Sequence, residues 1–475
     1  MKICLVLEGS YPYVNGGVST WMHQYIKGMP EQQFLLWIVG AKASDRGKFV
    51  YEIPPNVTEV HEVFLDDALR MKSAGRRFRV RFSENERKAL EQLMDCAEPD
   101  WDVLFDLFQR RKVDPAAFLQ SEDFLGILTG LCMREYPYLA FADAFHTLRS
   151  MLLPVLYLIG SPVPAADCYH AVCTGYGGLL AVLGGFVHHR PVLLTEHGIY
   201  TREREEEIIR ADWVQPAFRD RWIRFFYMLS NVIYRRAFRI TGLFGRARQT
   251  QIDMGCEESR CFVIANGVNY AAFSKIPLKE EDGWVDIGAV VRLAPIKDIK
   301  TLLYAFFEVT SERKNVRLHI MGGVDDEKYA EECRGLAKTL GIPNVLFTGR
   351  VNVTEYFRKL DFVVLSSISE GQPLAVLEAF AACRPAVTTD VGCCRALISG
   401  EEGDTLGEAG YCVPPMDRDA LAEAMSGMCE SRQRRIRMGM IGQKRVERYY
   451  QHPMMLENYR KLYRETEEFY GRDRI

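Results

Sequence analysis

Apolar residues occur along this chain in two rhythms. Short continuous runs of aliphatic and β-branched side chains, bounded by turn formers, predict strands; apolar side chains every three or four positions predict helices. The opening KICLVLE is a run of the first kind, followed by the turn-forming GSYPYVNGG. In the next piece, VSTWMHQYIKGM, Val18, Trp21, Met22 and Tyr25 fall at helical spacing, and Gly28 followed by Pro30 ends it. QFLLWIVGA, DCYHAVCT and PVLLTEHG are further predicted strands, so a parallel sheet covered by helices is expected.

Between about Asp66 and Ser150 the pattern turns charged, aromatic and helical, as in SENERKALEQLMDCA, and reads as a helical insertion. Ordinary connections are short, and an insertion of this size usually caps or shapes a binding site. Arg202 to Gln251 is again helical and rich in arginine, ending at the strand-like CFVIANGVN. From Asp286 the alternation restarts with DIGAVVRL, DIKTLLYAFFEVTSER, VRLHIMGG, VLFTGR, FVVLSS and PAVTTD, a second open α/β sheet. The expected organisation is a first domain over 1–268, with its insertion at about 66–150 and a completing C-terminal helix at about 446–475, and a second domain over 269–445.

Composition narrows the class. Of 475 residues 48% are hydrophobic and 26% charged, the profile of a soluble globular chain of two or three domains. Sixty basic against 63 acidic residues give a net charge of −3, no global field for nucleic acid, so any anion must be bound locally. No two of the 13 cysteines stand in C-x-x-C spacing and no H-E-x-x-H occurs, so reduced thiols and no metal site are expected. MKICLVLEG is too short an apolar run for a signal peptide, which suggests a cytoplasmic location. CYHAVCTGYGGLLAVLGGFV, from Cys168 to Val187, lacks acids, Lys and Arg, but its five glycines suit a strand, turn and helix better than a membrane span.

Four constellations carry candidate chemistry. In SSISEGQPLAVLEAFAACRP, Glu370 and Glu378 flank Gly371 and Pro373 after a predicted strand. Pro373 fits a first helical turn, so the N–H groups of Leu374 and Ala375 should face Glu370 and attract an anion, at about 0.3–1 kcal/mol for a bound negative group. A glutamate there would repel an anion alone. The reconciling ligand offers phosphates to the N–H groups and hydroxyls to the acids, as a nucleotide sugar does. In VVRLAPIKDIKTLL, Arg292 ends a strand and Lys297 precedes a helix that Asp298 can cap, placing two cations where a departing diphosphate would need them. Gly16 and Gly17 permit a backbone loop around phosphates, and His197, after PVLLTE, stands where a sugar or acceptor would be met.

LEGSYPYVNGGVSTWMHQ, LTEHGIYTREREEEI, VVRLAPIKDIKTL and SEGQPLAVLEA together resemble the family 4 glycosyltransferases of GT-B fold, and within them the Pel exopolysaccharide (PelF-type) enzymes. The resemblance spans nearly the whole chain and is weakest in the insertion. It implies two Rossmann-like domains facing across a cleft, a retaining and metal-independent hexosyltransferase, UDP-glucose or a related UDP-hexose as donor, no cofactor, and a carbohydrate acceptor. It also implies association with a membrane-bound export complex, at the inner face of the plasma membrane. By the same resemblance Glu370 lies near the donor sugar, Glu378 on the ribose hydroxyls and Arg292 with Lys297 on the diphosphate. His197 becomes the active-site histidine, and Arg350 and Val351 of FTGRV give backbone contacts to the base. Departures are Ala265 and Asn269 in the hinge run, where many relatives have Pro and Asp, and Cys393, Cys394 and Ala396, where a glutamate is common.

Other readings stay open beside this one. Glycoside hydrolysis would need two carboxylates ~5–9.5 Å apart, whereas eight residues at ~1.5 Å rise give about 12 Å. Asp100-Trp101-Asp102 mimics an acidic metal motif but reads as a helix cap, as do Asp417 and Asp419. GYGGLLA lacks the third glycine of a dinucleotide fingerprint, which disfavours an NAD-linked oxidoreductase. A non-catalytic nucleotide-sugar sensor or assembly subunit of a polysaccharide synthesis complex is the alternative of a different class.

Overall fold

The structure is a computed structural model describing residues 1–14, 16–71 and 80–472; Asn15 of the glycine loop, residues 72–79 of the insertion and residues 473–475 lie outside the described residues. The chain divides into two units, Met1–Val263 with Lys461–Ile475, and Ile264–Arg460. The first is built on a parallel sheet of β1 (Lys2–Glu8), β2 (Gln33–Gly40), β3 (Val57–Phe64), β4 (Cys168–Ala171), β5 (Val192–Glu196), β6 (Arg239–Gly242) and β7 (Cys261–Val263), in the order β3-β2-β1-β4-β5-β6-β7. The central strands are buried on both faces, as their unbroken apolar runs require. Two strands of this sheet escape the apolar signal or carry it faintly: β3 alternates acids and His61 at the sheet edge, and β6 has four residues.

The expected insertion is helical, and among the described residues no strand lies between β3 and β4. Its last helix, Phe141–Gly160, runs past the boundary expected near Ser150 and carries Pro154 inside it. Trp101, Leu104, Leu128 and Leu152 of the insertion share one buried cluster with Trp37 of β2 and Leu179 of the Gly175–His188 helix. Arg221, fully buried, ties the insertion down: it donates to the Met94 carbonyl at 2.7 Å and to Glu135 at 2.5 Å. The apolar run from Cys168 is β4, a turn and the Gly175–His188 helix, and no described helix is long and apolar enough to cross a membrane.

The second unit repeats the architecture with β8 (Val285–Val290), β9 (Val316–Met321), β10 (Val345–Gly349), β11 (Phe362–Leu365), β12 (Ala386–Thr389) and β13 (Gly410–Val413), all parallel, in the order β10-β9-β8-β11-β12-β13. Both sheets reverse their winding beside the first strand, at β1/β4 and β8/β11, which is where open parallel sheets bind ligands. The divide falls at Val263 and Arg460 rather than at 268 and 446. Val268 pairs with Gln451, and a Cβ on Gly267 would stand 2.5 Å from the Gln451 carbonyl, so both segments stay with the second unit. The end of the final helix, His452–Arg472, belongs to the first unit: the Tyr463 hydroxyl lies 2.5 Å from that of Tyr25 and 2.7 Å from His170 Nδ1.

Candidate functional site

In the second unit the turn after β8 brings Lys297 to the carboxyl end of the sheet. Asp298 follows in the left-handed region at φ +46° and caps the Ile299–Glu312 helix by accepting from Thr301 N at 3.4 Å. A non-glycine residue held there costs roughly 1–3 kcal/mol, a strain that collects at functional sites. The turn is laced to the segment after β11: Ile368 N donates to the Ile296 carbonyl at 2.9 Å and Ser366 Oγ to the Lys297 carbonyl at 2.9 Å. Across this seam Lys297 Nζ meets Glu370 Oε1 at 2.6 Å, and Ser367 Oγ donates to the same oxygen at 2.6 Å. The pair is largely shielded, with 16% and 12% of the two side chains exposed, so its attraction is screened less than that of a surface bridge.

Pro373 stands one position earlier than the sequence suggested, as the residue before the Leu374–Ala381 helix rather than within its first turn. No side chain caps that helix and no acid lies in its first turn, so the N–H ends of Leu374 and Ala375 remain an anion seat. Gly371 is held from the other side. Cys393 N donates to its carbonyl at 3.1 Å, and Gly392, at φ +56°, has room for no side chain: a Cβ would lie 2.1 Å from Gly371 O and 2.4 Å from Glu370 O.

Glu378 is partly buried on the second turn of the helix, with no hydrogen-bond partner for its carboxylate among the described residues. Burial pushes its carboxyl up to about 7. Arg292 also lies after β8 but is half exposed and paired with Asp325 beyond β9, so it is not part of the Lys297–Glu370 pair. Arg350, exposed after β10, lays its guanidinium over Gly323, with Val351 next to it partly buried.

In the first unit the helix Gly17–Lys27 starts without a side-chain cap or first-turn acid. Gly16 is extended, at φ −178°, a conformation open to any residue, and a Cβ added at Gly16 or at Gly17 would meet no atom within 4 Å; what the two glycines give is open space over the helix end. His197 follows β5. Its Nε2 is buried without a partner, its ring meets Trp21 edge-on at 4.3 Å, and burial pushes the imidazole down to about 4, so it is neutral at pH 7.

Several contributors carried no usable signal. Ser367 and Gln372 lie inside the glutamate motif but show their contacts only in three dimensions; Gln372 Oε1 accepts from Asn266 N at 2.6 Å and ties the segment after β7 to the loop after β11. Glu8, at the end of β1, accepts from Gly177 N at 3.1 Å and from the Tyr200 hydroxyl at 3.0 Å. A side chain of the protein thus already fills the helix end at GYGGLLA, where a dinucleotide would need room, and the Tyr200 ring closes over Gly175. Asp100 and Asp417 are helix caps as expected: Asp100 accepts from Asp102 N and Val103 N, and Asp417 from Ala420 N. Asp419 lies in the first turn behind Asp417.

Two all-parallel Rossmann-like units define the GT-B fold, and solved structures of this type match the chain along its length. HepE from Anabaena, solved with UDP and glucose, aligns with a TM-score of 0.58 at 15% identity, covering 97% of this chain and 99% of HepE. Sucrose-phosphate synthase from Thermosynechococcus elongatus aligns at 0.58 and 16% identity, covering 98% of each. Residues 1–259 match the family model described as a domain of unknown function, DUF3492, and the chain belongs to that family. Residues 285–431 match the glycosyl transferases group 1 model. Among curated proteins, an MMP alpha-(1->4)-mannosyltransferase from Mycolicibacterium hassiacum is 24% identical over 58% of this chain and 64% of its own length. The capsular polysaccharide biosynthesis glycosyltransferase CapM of Staphylococcus aureus is 27% identical over 42% of this chain and 53% of its own. The chain therefore spans less than two thirds of these relatives.

Proposed function

We propose that the protein is a retaining glycosyltransferase moving a hexose, glucose or a close relative, from a UDP-sugar to a carbohydrate acceptor in Pel-like exopolysaccharide synthesis. The observation that carries the reading is the shielded Lys297–Glu370 pair with Ser367, set beside an uncapped helix end at the carboxyl edge of β8 and β11. When a nucleotide sugar enters, Lys297 leaves Glu370 for the diphosphate and Glu370 turns to the sugar hydroxyls. The charges that satisfied each other are then satisfied by the ligand. As the sugar departs, Lys297 and the N–H groups of Leu374 and Ala375 stabilise the negative charge growing on the leaving diphosphate, Arg292 adds its cation once released from Asp325, and the leaving oxygen accepts the acceptor's proton. Glu378 accepts from ribose hydroxyls, and Arg350 and Val351 border the base. The motif resemblance assigns neutral His197 to the sugar and the Gly16–Gly17 helix end to a phosphate.

The named ligands of HepE, UDP with glucose, support the donor class, and capsule synthesis by CapM supports a polysaccharide product. The Pel assignment rests on the motif resemblance, as do metal independence and a cytoplasmic enzyme working beside an export complex at the inner membrane face. The test is release of UDP from UDP-glucose with a glycan acceptor. Turnover unaffected by EDTA is expected, and tight UDP-glucose binding without any release would instead identify a sensor or assembly subunit.

A further inference from the structure

The Arg432–Tyr449 helix carries seven cations, four of which are neutralised within the second unit: Arg432 by Glu281, Arg434 by Glu430, Arg435 by Asp361 and Arg445 by Asp404. Arg437, Lys444 and Arg448 have no ion-pair partner among the described residues, and all three are exposed. They follow at spacings of seven and four, which at ~100° per residue keeps them within about 20° of one line along roughly 16 Å of helix. Between them an apolar trough of about 370 Å³ opens, lined by Leu406, Ile436, Met440 and Ile441 with Arg437 and Lys444 at its lips. Met440 is 50% exposed, and Tyr449, 38% exposed, stands at the end of the stripe under the Arg448 guanidinium. The single exposed acid of the helix, Glu447, is engaged by the Tyr270 hydroxyl.

The geometry points to this stripe as a docking surface for an anionic lipid bilayer. The unpaired cations complement the headgroup charge, and the exposed Met440 enters the acyl boundary. A chain with a net charge of −3 has no other reason to be drawn to such a surface as a whole, so the attraction is local and short-ranged. The inference rests on the inner-face placement proposed above, not on the transfer chemistry.

Flotation of the full chain with phosphatidylcholine vesicles containing about 30% phosphatidylglycerol, against phosphatidylcholine alone, tests it. Binding to the anionic vesicles that fades at high salt is expected. R437Q/K444Q/R448Q should lose on the order of 10²-fold in partition, about fivefold per cation, and M440D should also weaken it, with far-UV circular dichroism and UDP release in free solution unchanged. Equal binding to neutral vesicles, no binding by the wild type, or flotation of the triple variant at wild-type level would overturn it. So would docking of an acidic amphipathic peptide in the trough by a chain that ignores vesicles. Because UDP release is measured without lipid, its failure sinks the transfer reading while leaving the flotation result standing.

Discussion

At the scale of single residues, the proposed chemistry rests on the shielded Lys297–Glu370 pair and on Glu378. Lys297→Ala leaves the shielded Glu370 without its cation and with only Ser367 donating to it, and Glu370→Ala leaves Lys297 without its counterion; each should lower UDP release about 10²–10³-fold with the fold preserved by circular dichroism. Glu378 gives a pH signature. Its folded carboxyl titrates at about 7 against an ordinary 4.5, so ionisation is disfavoured in the folded state, and the group costs stability progressively as pH rises from about 4.5 to 7. Glu378→Gln should therefore raise Tm at pH 8 and leave it unchanged at pH 4. The same residue should make UDP affinity fall from pH 8 to pH 6 in the wild type, as calorimetry would register, and the slope should flatten in Glu378→Gln. Arg292 shows how far motif reading reaches: its place after β8 was legible, but its partner Asp325 lies beyond another strand, and no local spacing announces that pairing.

At the scale of elements, the loops matter more than the strands that carry them. Gly392→Ala pushes a methyl group into the Gly371 and Glu370 carbonyls, so it should abolish turnover and lower stability by about 1–3 kcal/mol, measurable by urea denaturation. Asp100→Ala removes the cap that meets Asp102 N and Val103 N and should cost ~0.5–2 kcal/mol without touching UDP binding, which separates a cap from a metal ligand. Continuous apolar runs made β1, β2, β5, β8, β9 and β11 legible because both their faces are covered. β3, at a sheet edge with Glu59, His61 and Glu62, lacked that imprint, and β6 (RITG) and β13 (GYCV) break theirs with glycine and, in β6, with Arg239. The glycine loop advertises a conformational freedom that the extended Gly16 does not use.

At the scale of the whole molecule, the alternation of strand and helix was enough to reveal two Rossmann-like sheets, since burial on both faces writes itself into composition. The ends of the units were not, because a divide set by Val268 beside Gln451 depends on residues far apart in the chain. The thiols behave as composition suggested: all thirteen are free and none is exposed. Burial raises the thiol titration of many of them, Cys96 to about 11.

The two sheets share a winding, yet their equivalent crests differ by one acid. Where β1 ends, Glu8 turns its carboxyl onto the neighbouring helix and fills that helix end from within; where β8 and β11 end, the Leu374–Ala381 helix has no such side-chain cap. On the proposed reading, Glu8 leaves the chain a single nucleotide seat, the one in the second unit.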